Sequence, residues 1–161
     1  MSKKIEAVIN AKLKGDSQKN ALDFIAYLRT GENAKYFTIE MHDEKDESGW
    51  NVANLGFIII TGNDGFPGPW TMWFGVNNIG EHLKNPIDEK IKEFAWSHIS
   101  PCGNCGGNCN PTLTKVFGKE FENTCQSNLL LVNPNAEAVE YMKKLSSIKI
   151  DDIIRNLSKK A

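Results

Sequence analysis

Phe57-Ile58-Ile59-Ile60-Thr61-Gly62-Asn63-Asp64-Gly65 and Trp70-Thr71-Met72-Trp73-Phe74-Gly75-Val76 decide the fold. The first is a β-branched apolar run that stops at a Gly-Asn-Asp-Gly turn signal. The second resumes as a β-rich stretch after Pro67-Gly68-Pro69. Two such runs separated by turn residues predict antiparallel strands. The region Trp50 to Thr61 reads as one strand, and Gly56 within it marks a bulge or a close backbone approach. Upstream, Phe37, Ile39 and Met41 alternate with polar residues, which predicts a half-buried strand. The charged run from His42 to Gly49 reads as its solvated connection. The simplest arrangement is a meander of three or more strands.

Outward from the strands the pattern becomes helical. Ile5, Val8, Ile9 and Leu13 fall at helical spacing. After a break at Gly15, with Asp16 or Ser17 as the expected cap, Ala21, Phe24, Ile25 and Leu28 form a second stripe that stops at Gly31. Asn85-Pro86 and Asn133-Pro134 are helix starts by composition. The first predicts a helix with Ile87, Ile91, Phe94, Ala95 and His98 on one face, ending near Ser100. The second predicts one with Ala138, Tyr141, Met142 and Leu145 facing the core. Ile150, Ile153, Ile154 and Leu157 predict one more short helix, and Asp151-Asp152 reads as a helix start, where negative charge suits the dipole. The fold class is therefore α+β: a central antiparallel sheet of three or more strands flanked by helices, with helix-rich N- and C-termini, in a single domain over 1–161.

The length of 161 residues fits one domain with a core of its own. A formal net charge of −1, from 19 basic and 20 acidic residues, offers no basic surface for phosphate neutralisation, so no nucleic-acid partner is expected. No apolar run is long enough to span a bilayer, and the N-terminus lacks a signal-peptide core. A cytoplasmic location with reduced thiols is the expectation.

The chemistry concentrates in the cysteines. All four fall in one quarter of the chain, at Cys102, Cys105, Cys109 and Cys125. Cys102-Gly103-Asn104-Cys105 lets two thiolates converge from one tight turn, and Gly106-Gly107 permits the positive φ such a turn needs. Backbone N–H groups aimed at the sulfurs reduce the cost of their charge. This is the local chemistry of a zinc knuckle, so zinc is the expected cofactor. Cys109 is a third candidate ligand. Cys125, or His98 on the helix ahead of Pro101, would complete a tetrahedron, with Cys125 preferred because a lone His on an apolar face usually bonds to backbone. Reduced thiols in a glycine-rich loop are the plain alternative. Trp73 and Trp96 fall off the core stripes of their elements and are candidates for a small-ligand pocket.

The order of features resembles small bacterial proteins to which no activity is attached. That resemblance is carried by Lys19-Asn20-Ala21-Leu22-Asp23-Phe24, by Pro67-Gly68-Pro69-Trp70, and by the run from Glu93-Phe94-Ala95-Trp96 to Phe117-Gly118-Lys119-Glu120-Phe121. The N-terminal helix followed by strands is also similar to the YdhG/YjbR-type group, whose fold is linked to frataxin-like iron handling. The cysteine loop is not part of that pattern. Two functions follow as expectations: a small-ligand-binding module stiffened by a cysteine-held structural metal near 102–125, or a thiol- or metal-dependent enzyme or metal-handling protein using the same loop.

Overall fold

The computed structural model describes residues 3–65, 68–81, 83–102 and 110–160. Their order is α1 (Ile5–Lys12), α2 (Gly15–Arg29), α3 (Asn33–Tyr36), β1 (Ile39–Asp43), β2 (Asp46–Val52), β3 (Gly56–Ile60), β4 (Trp70–Gly75), α4 (Glu89–Ser97), β5 (Ile99–Pro101), β6 (Thr112–Val116), β7 (Lys119–Val132) and α5 (Ala136–Lys159). The seven described strands form one antiparallel sheet in the order β1-β2-β3-β4-β7-β5, with β6 also paired to β7. The α+β class with helices at both ends is the observed one.

The meander is in place, but its turns differ from the expectation. Trp50–Thr61 is not one strand. It is broken at Ala53-Asn54-Leu55 into β2 and β3, which pair with each other from Gly49↔Ile59 to Val52↔Gly56. Asn54 makes the break possible by taking a left-handed conformation, φ +63, with its Nδ2 donating to the Tyr36 carbonyl at 2.8 Å. The charged run 42–49 is mostly strand, since β1 extends to Asp43 and β2 begins at Asp46. An edge hairpin turns many of its side chains to water, so charge does not exclude strand there. Gly56 is the close approach: its φ is +157, and a Cβ there would lie 1.8 Å from the Trp73 carbonyl oxygen.

The strands alternate as half-buried strands should. Trp50, Val52, Ile58, Ile60, Trp70, Met72, Phe74, Leu129 and Leu131 are buried on one face. On the other face Phe57, Ile59 and Trp73 remain half-buried. The apolar stripes of α1 and α2 close the core from the helical side, with Ile5, Val8, Ile9, Leu13, Ala21, Phe24, Ile25 and Leu28 all buried. From α5 come Val139, Met142 and Leu145. The Tyr27 hydroxyl donates to the Lys143 carbonyl at 2.9 Å and Lys143 pairs with Asp23 at 2.8 Å, fastening α2 to α5.

Four helix boundaries shift. Gly15 itself opens α2 after Lys14, so neither Asp16 nor Ser17 is the cap; the Ser17 hydroxyl donates to Asn133 Oδ1 instead. The cap of α4 is Asp88, not Asn85, and its carboxylate accepts the Lys90 N–H at 2.8 Å. The cap of α5 is Asn135, whose Oδ1 accepts the Ala138 N–H at 2.9 Å. In both cases a better-placed side-chain acceptor follows the Asn-Pro pair within two residues. The expected separate C-terminal helix is the second half of α5, which runs unbroken for 24 residues, so Asp151-Asp152 is helix interior and not a helix start. No described helix is long and apolar enough to cross a membrane.

Replacing Gly56 with Ala is expected to destabilise the protein by about 3 kcal/mol or more, because backbone must move. Gly65→Ala, where nothing lies within 4 Å of the new methyl, is the matched control. Urea unfolding of both variants reads the difference, and equal midpoints would refute the crowding argument.

Candidate functional site: the base of the cysteine loop

The site is built around the longest strand. β7 has 14 residues and is bent by two non-glycine residues at positive φ, Asn123 (+55) and Gln126 (+52). Beyond the second bend its C-terminal half pairs with β4, from Gly75↔Asn128 to Thr71↔Val132. Its N-terminal half folds back on β6 through Phe117-Gly118, both at positive φ, as a two-residue hairpin turn requires. The short β5 takes the other edge, with Ile99 opposite Leu129 and Pro101 opposite Thr124.

This register has a direct consequence for the cysteines. Thr124 faces Pro101 on one side and Thr112 on the other. The two ends of the loop that leaves β5 and returns to β6 are therefore clamped to the same residue of β7. The Cys102 N–H donates to the Asn123 carbonyl at 2.6 Å, and Cys125 is the next residue after Thr124. Cys125, 23 positions from Cys102 in sequence, thus stands at the base of the loop. Both cysteines are half-exposed. Cys105 and Cys109, the other two expected ligands, lie outside the described residues. Among the described residues no three His, Cys, Asp or Glu side chains come together as a set able to hold a metal. His98, Cys102 and Cys125 alone are therefore not such a set.

Beneath the loop the clamp is a cluster of hydroxyls. Thr114 and Thr124 are fully buried. The Thr124 hydroxyl donates to the Thr112 carbonyl at 2.8 Å and is met by the hydroxyls of Thr112 and Thr114. Buried hydroxyls satisfied by each other and by backbone fix the register of the strands that carry them.

His98 is the residue just after α4. Its Nδ1 lies 2.7 Å from the Phe94 carbonyl, which can only accept, so Nδ1 carries the proton and Nε2 the lone pair in the neutral ring. The ring lies tilted against Phe94 at 4.4 Å between centres, and Phe94 stacks on Tyr141 of α5 at 4.7 Å. The backbone bond anticipated for a histidine on an apolar face is thus present.

The two tryptophans separate. Trp96 lines a concavity of about 500 Å³ with Ile99, Pro101, Glu120, Phe121, Glu122 and Thr124. Its Nε1 donates to the Val116 carbonyl at 2.8 Å, which anchors the indole edge to β6. The Lys119 ammonium sits 5.1 Å from the Trp96 ring centre and 5.3 Å from that of Phe121, within cation–π range of both. Trp73 is not in this wall. It faces Phe57 and Leu130 across the sheet, on the face away from the core. Falling off a core stripe, the feature that Trp73 and Trp96 share in the sequence, says nothing of which surface each reaches. Phe121, which completes the aromatic wall, and Lys119, whose ammonium lies against both rings, escape sequence reading because Val116 to Phe121 carries no sign of the hairpin turn at its middle beyond Gly118.

No protein-family model matches the chain, and neither does any curated protein or solved structure.

Changing Thr124 to the isosteric Val removes the shared hydroxyl and leaves buried partners unsatisfied. A loss of about 1–3 kcal/mol is expected by chemical denaturation. An unchanged midpoint would show that the hydroxyl cluster does not hold the clamp.

Proposed function

We propose that the protein is a cytosolic small-ligand-binding module in which zinc, held by cysteines of the 102–125 region, stiffens the loop beside the Trp96 concavity. One observation carries this reading. Pro101 and Thr124, which immediately precede Cys102 and Cys125, are themselves walls of the concavity. Anything that fixes those two cysteines to a common centre also fixes the rim of the pocket. The Cys102-x2-Cys105 spacing and its glycines add the ligand chemistry of a zinc turn. Four cysteine ligands would leave no open coordination position, so the metal's role is structural and ligand contact falls to Trp96 and Phe121. A flat, partly apolar ligand suits these two aromatic side chains.

His98 favours a second reading. With Nδ1 committed to backbone, its Nε2 has the fixed orientation that a metal ligand or a general base needs. In that case the loop holds the metal with three ligands or reacts as a thiolate, and the protein is a thiol- or metal-dependent enzyme or a metal-handling protein.

Elemental analysis of untagged protein, with thiol counting before and after chelation, separates these. About one zinc per chain with four thiols protected is the expected result. Cys102→Ser should then lower stability by several kcal/mol, because metal binding is coupled to folding. A metal-free protein with one fast-reacting thiol would overturn the module reading in favour of thiol chemistry. A metal-free protein with four slow thiols would remove both.

A further inference from the structure

A second cavity, remote in sequence from the cysteine loop, lies where the C-terminal half of α5 crosses the ends of the meander. Its volume is about 620 Å³, and its walls include Lys149, Asp152, Arg155 and Asn156 of α5, Asn54 and Leu55 of the β2–β3 turn, and Asn77, Asn78 and Glu81 after β4. Lys149 is the unusual group. Its side chain runs into the fold and its ammonium donates to the Gly75 carbonyl at 2.6 Å. Burial holds its pKa below the ordinary lysine value, and the neighbouring Asp152 carboxylate offsets this only in part.

The cavity carries two cations and two carboxylates, but no ion pair joins them among the described residues. Asp152 Oδ2 already accepts the Gly80 N–H at 2.8 Å, and Glu81 faces Lys115 at 3.5 Å. Arg155 has no carboxylate partner among the described residues. Asn77 has spent its acceptor on the Lys115 N–H at 3.1 Å, leaving its NH₂ as a donor, and the side chains of Asn78 and Asn156 have no partner among the described residues. Two cations without an ion pair and several amide donors thus face a space in which Asp152 compensates Lys149 only in part and Glu81 faces Lys115. A desolvated cation without full compensation is costly, and a negatively charged ligand removes that cost.

We propose that this cavity binds a small oxyanion-bearing metabolite, a carboxylate or a phosphate, seated between Lys149 and Arg155 with its remaining oxygens on Asn77, Asn78 and Asn156. The predominantly polar wall favours a polar ligand over an apolar one. The volume admits a molecule the size of a tricarboxylic acid or a sugar phosphate. The site is independent of any metal at the cysteines.

Titration calorimetry of the intact protein with citrate and with inorganic phosphate tests this, alongside Lys149→Met and Arg155→Gln. Saturable binding of either probe is expected, weakened by about tenfold or more in each variant while the thermal midpoint of Arg155→Gln stays near wild type. Preference for citrate or for phosphate identifies the carboxylate or the phosphoryl class. Affinity should also fall as pH rises through the Lys149 titration, since the anion favours the charged amine, and this dependence should vanish in Lys149→Met. The charged groups facing Lys149 there are Asp152 and Arg155 on its own helix and Glu81 across the cavity, so Asp152→Asn serves as the control for their part in the profile. If Lys149→Met fails to fold, Arg155→Gln alone carries the comparison. No saturable binding of either probe, or binding untouched by Arg155→Gln, would overturn the assignment and leave Lys149 as a tether between α5 and β4.

Discussion

The pairing of β7 with three other strands is the constraint on which the rest depends. A four-strand meander needs only local turns, and β1 to β4 supply them. β7 does something different: it adds a fifth strand to that meander through Leu129–Val132, and through Lys119–Thr124 it carries β6 and the end of β5. A straight strand could not serve both, because its two halves would stay in one plane with one set of neighbours. Asn123 and Gln126 at positive φ re-aim it, as bulges do, and Asn tolerates that conformation better than most residues. The position of Cys125, the shape of the Trp96 concavity and the docking of α4 all follow from that bend.

How much of this was legible in the sequence depends on range. The stripes Ile5-Val8-Ile9-Leu13 and Ala21-Phe24-Ile25-Leu28 specify helices and a buried side by spacing alone, and each of those residues is buried. The alternation in β4 likewise separates Trp70, Met72 and Phe74 from Trp73. Where the pattern depends on a single residue's backbone conformation, sequence reading fails. Asn54 breaks what reads as one continuous strand, and Asp88 and Asn135 outcompete the Asn-Pro pairs as helix caps. β7 itself was visible only as its last four apolar residues, because Glu120, Glu122, Asn123 and Gln126 give its first half no apolar alternation. Its strand character comes from pairing with β5 and β6, and pairing is a tertiary fact.

The same limit applies to the candidate sites. The cysteine spacing is a local signal and survives reading at sight. That Cys125 stands at the base of the loop entered at Cys102 is a consequence of strand register, which the spacing of the cysteines does not show. The cavity around Lys149 had no signal at all: a lysine one turn after Leu145 on a helix reads as a solvated residue. Its partial burial comes with the contact of its ammonium with the Gly75 carbonyl of β4, which is a tertiary fact.

The two cavities lie against different parts of the sheet and have opposite characters. One pairs the aromatic side chains of Trp96 and Phe121 with Glu120 and Glu122. The other is amide-lined, with two half-buried cations and with its carboxylates set against backbone and lysine. Rigid anchoring is common to both: Trp96 is pinned by its indole N–H to β6, and Lys149 by its ammonium to β4. Holding a polar side chain in one place costs rotamer entropy at folding, and that cost is no longer due when a ligand arrives. A surface that served only to be wet would gain nothing from it. The same two bonds tie α4 to β6 and α5 to β4, so each anchored side chain serves the fold and the wall of its cavity together.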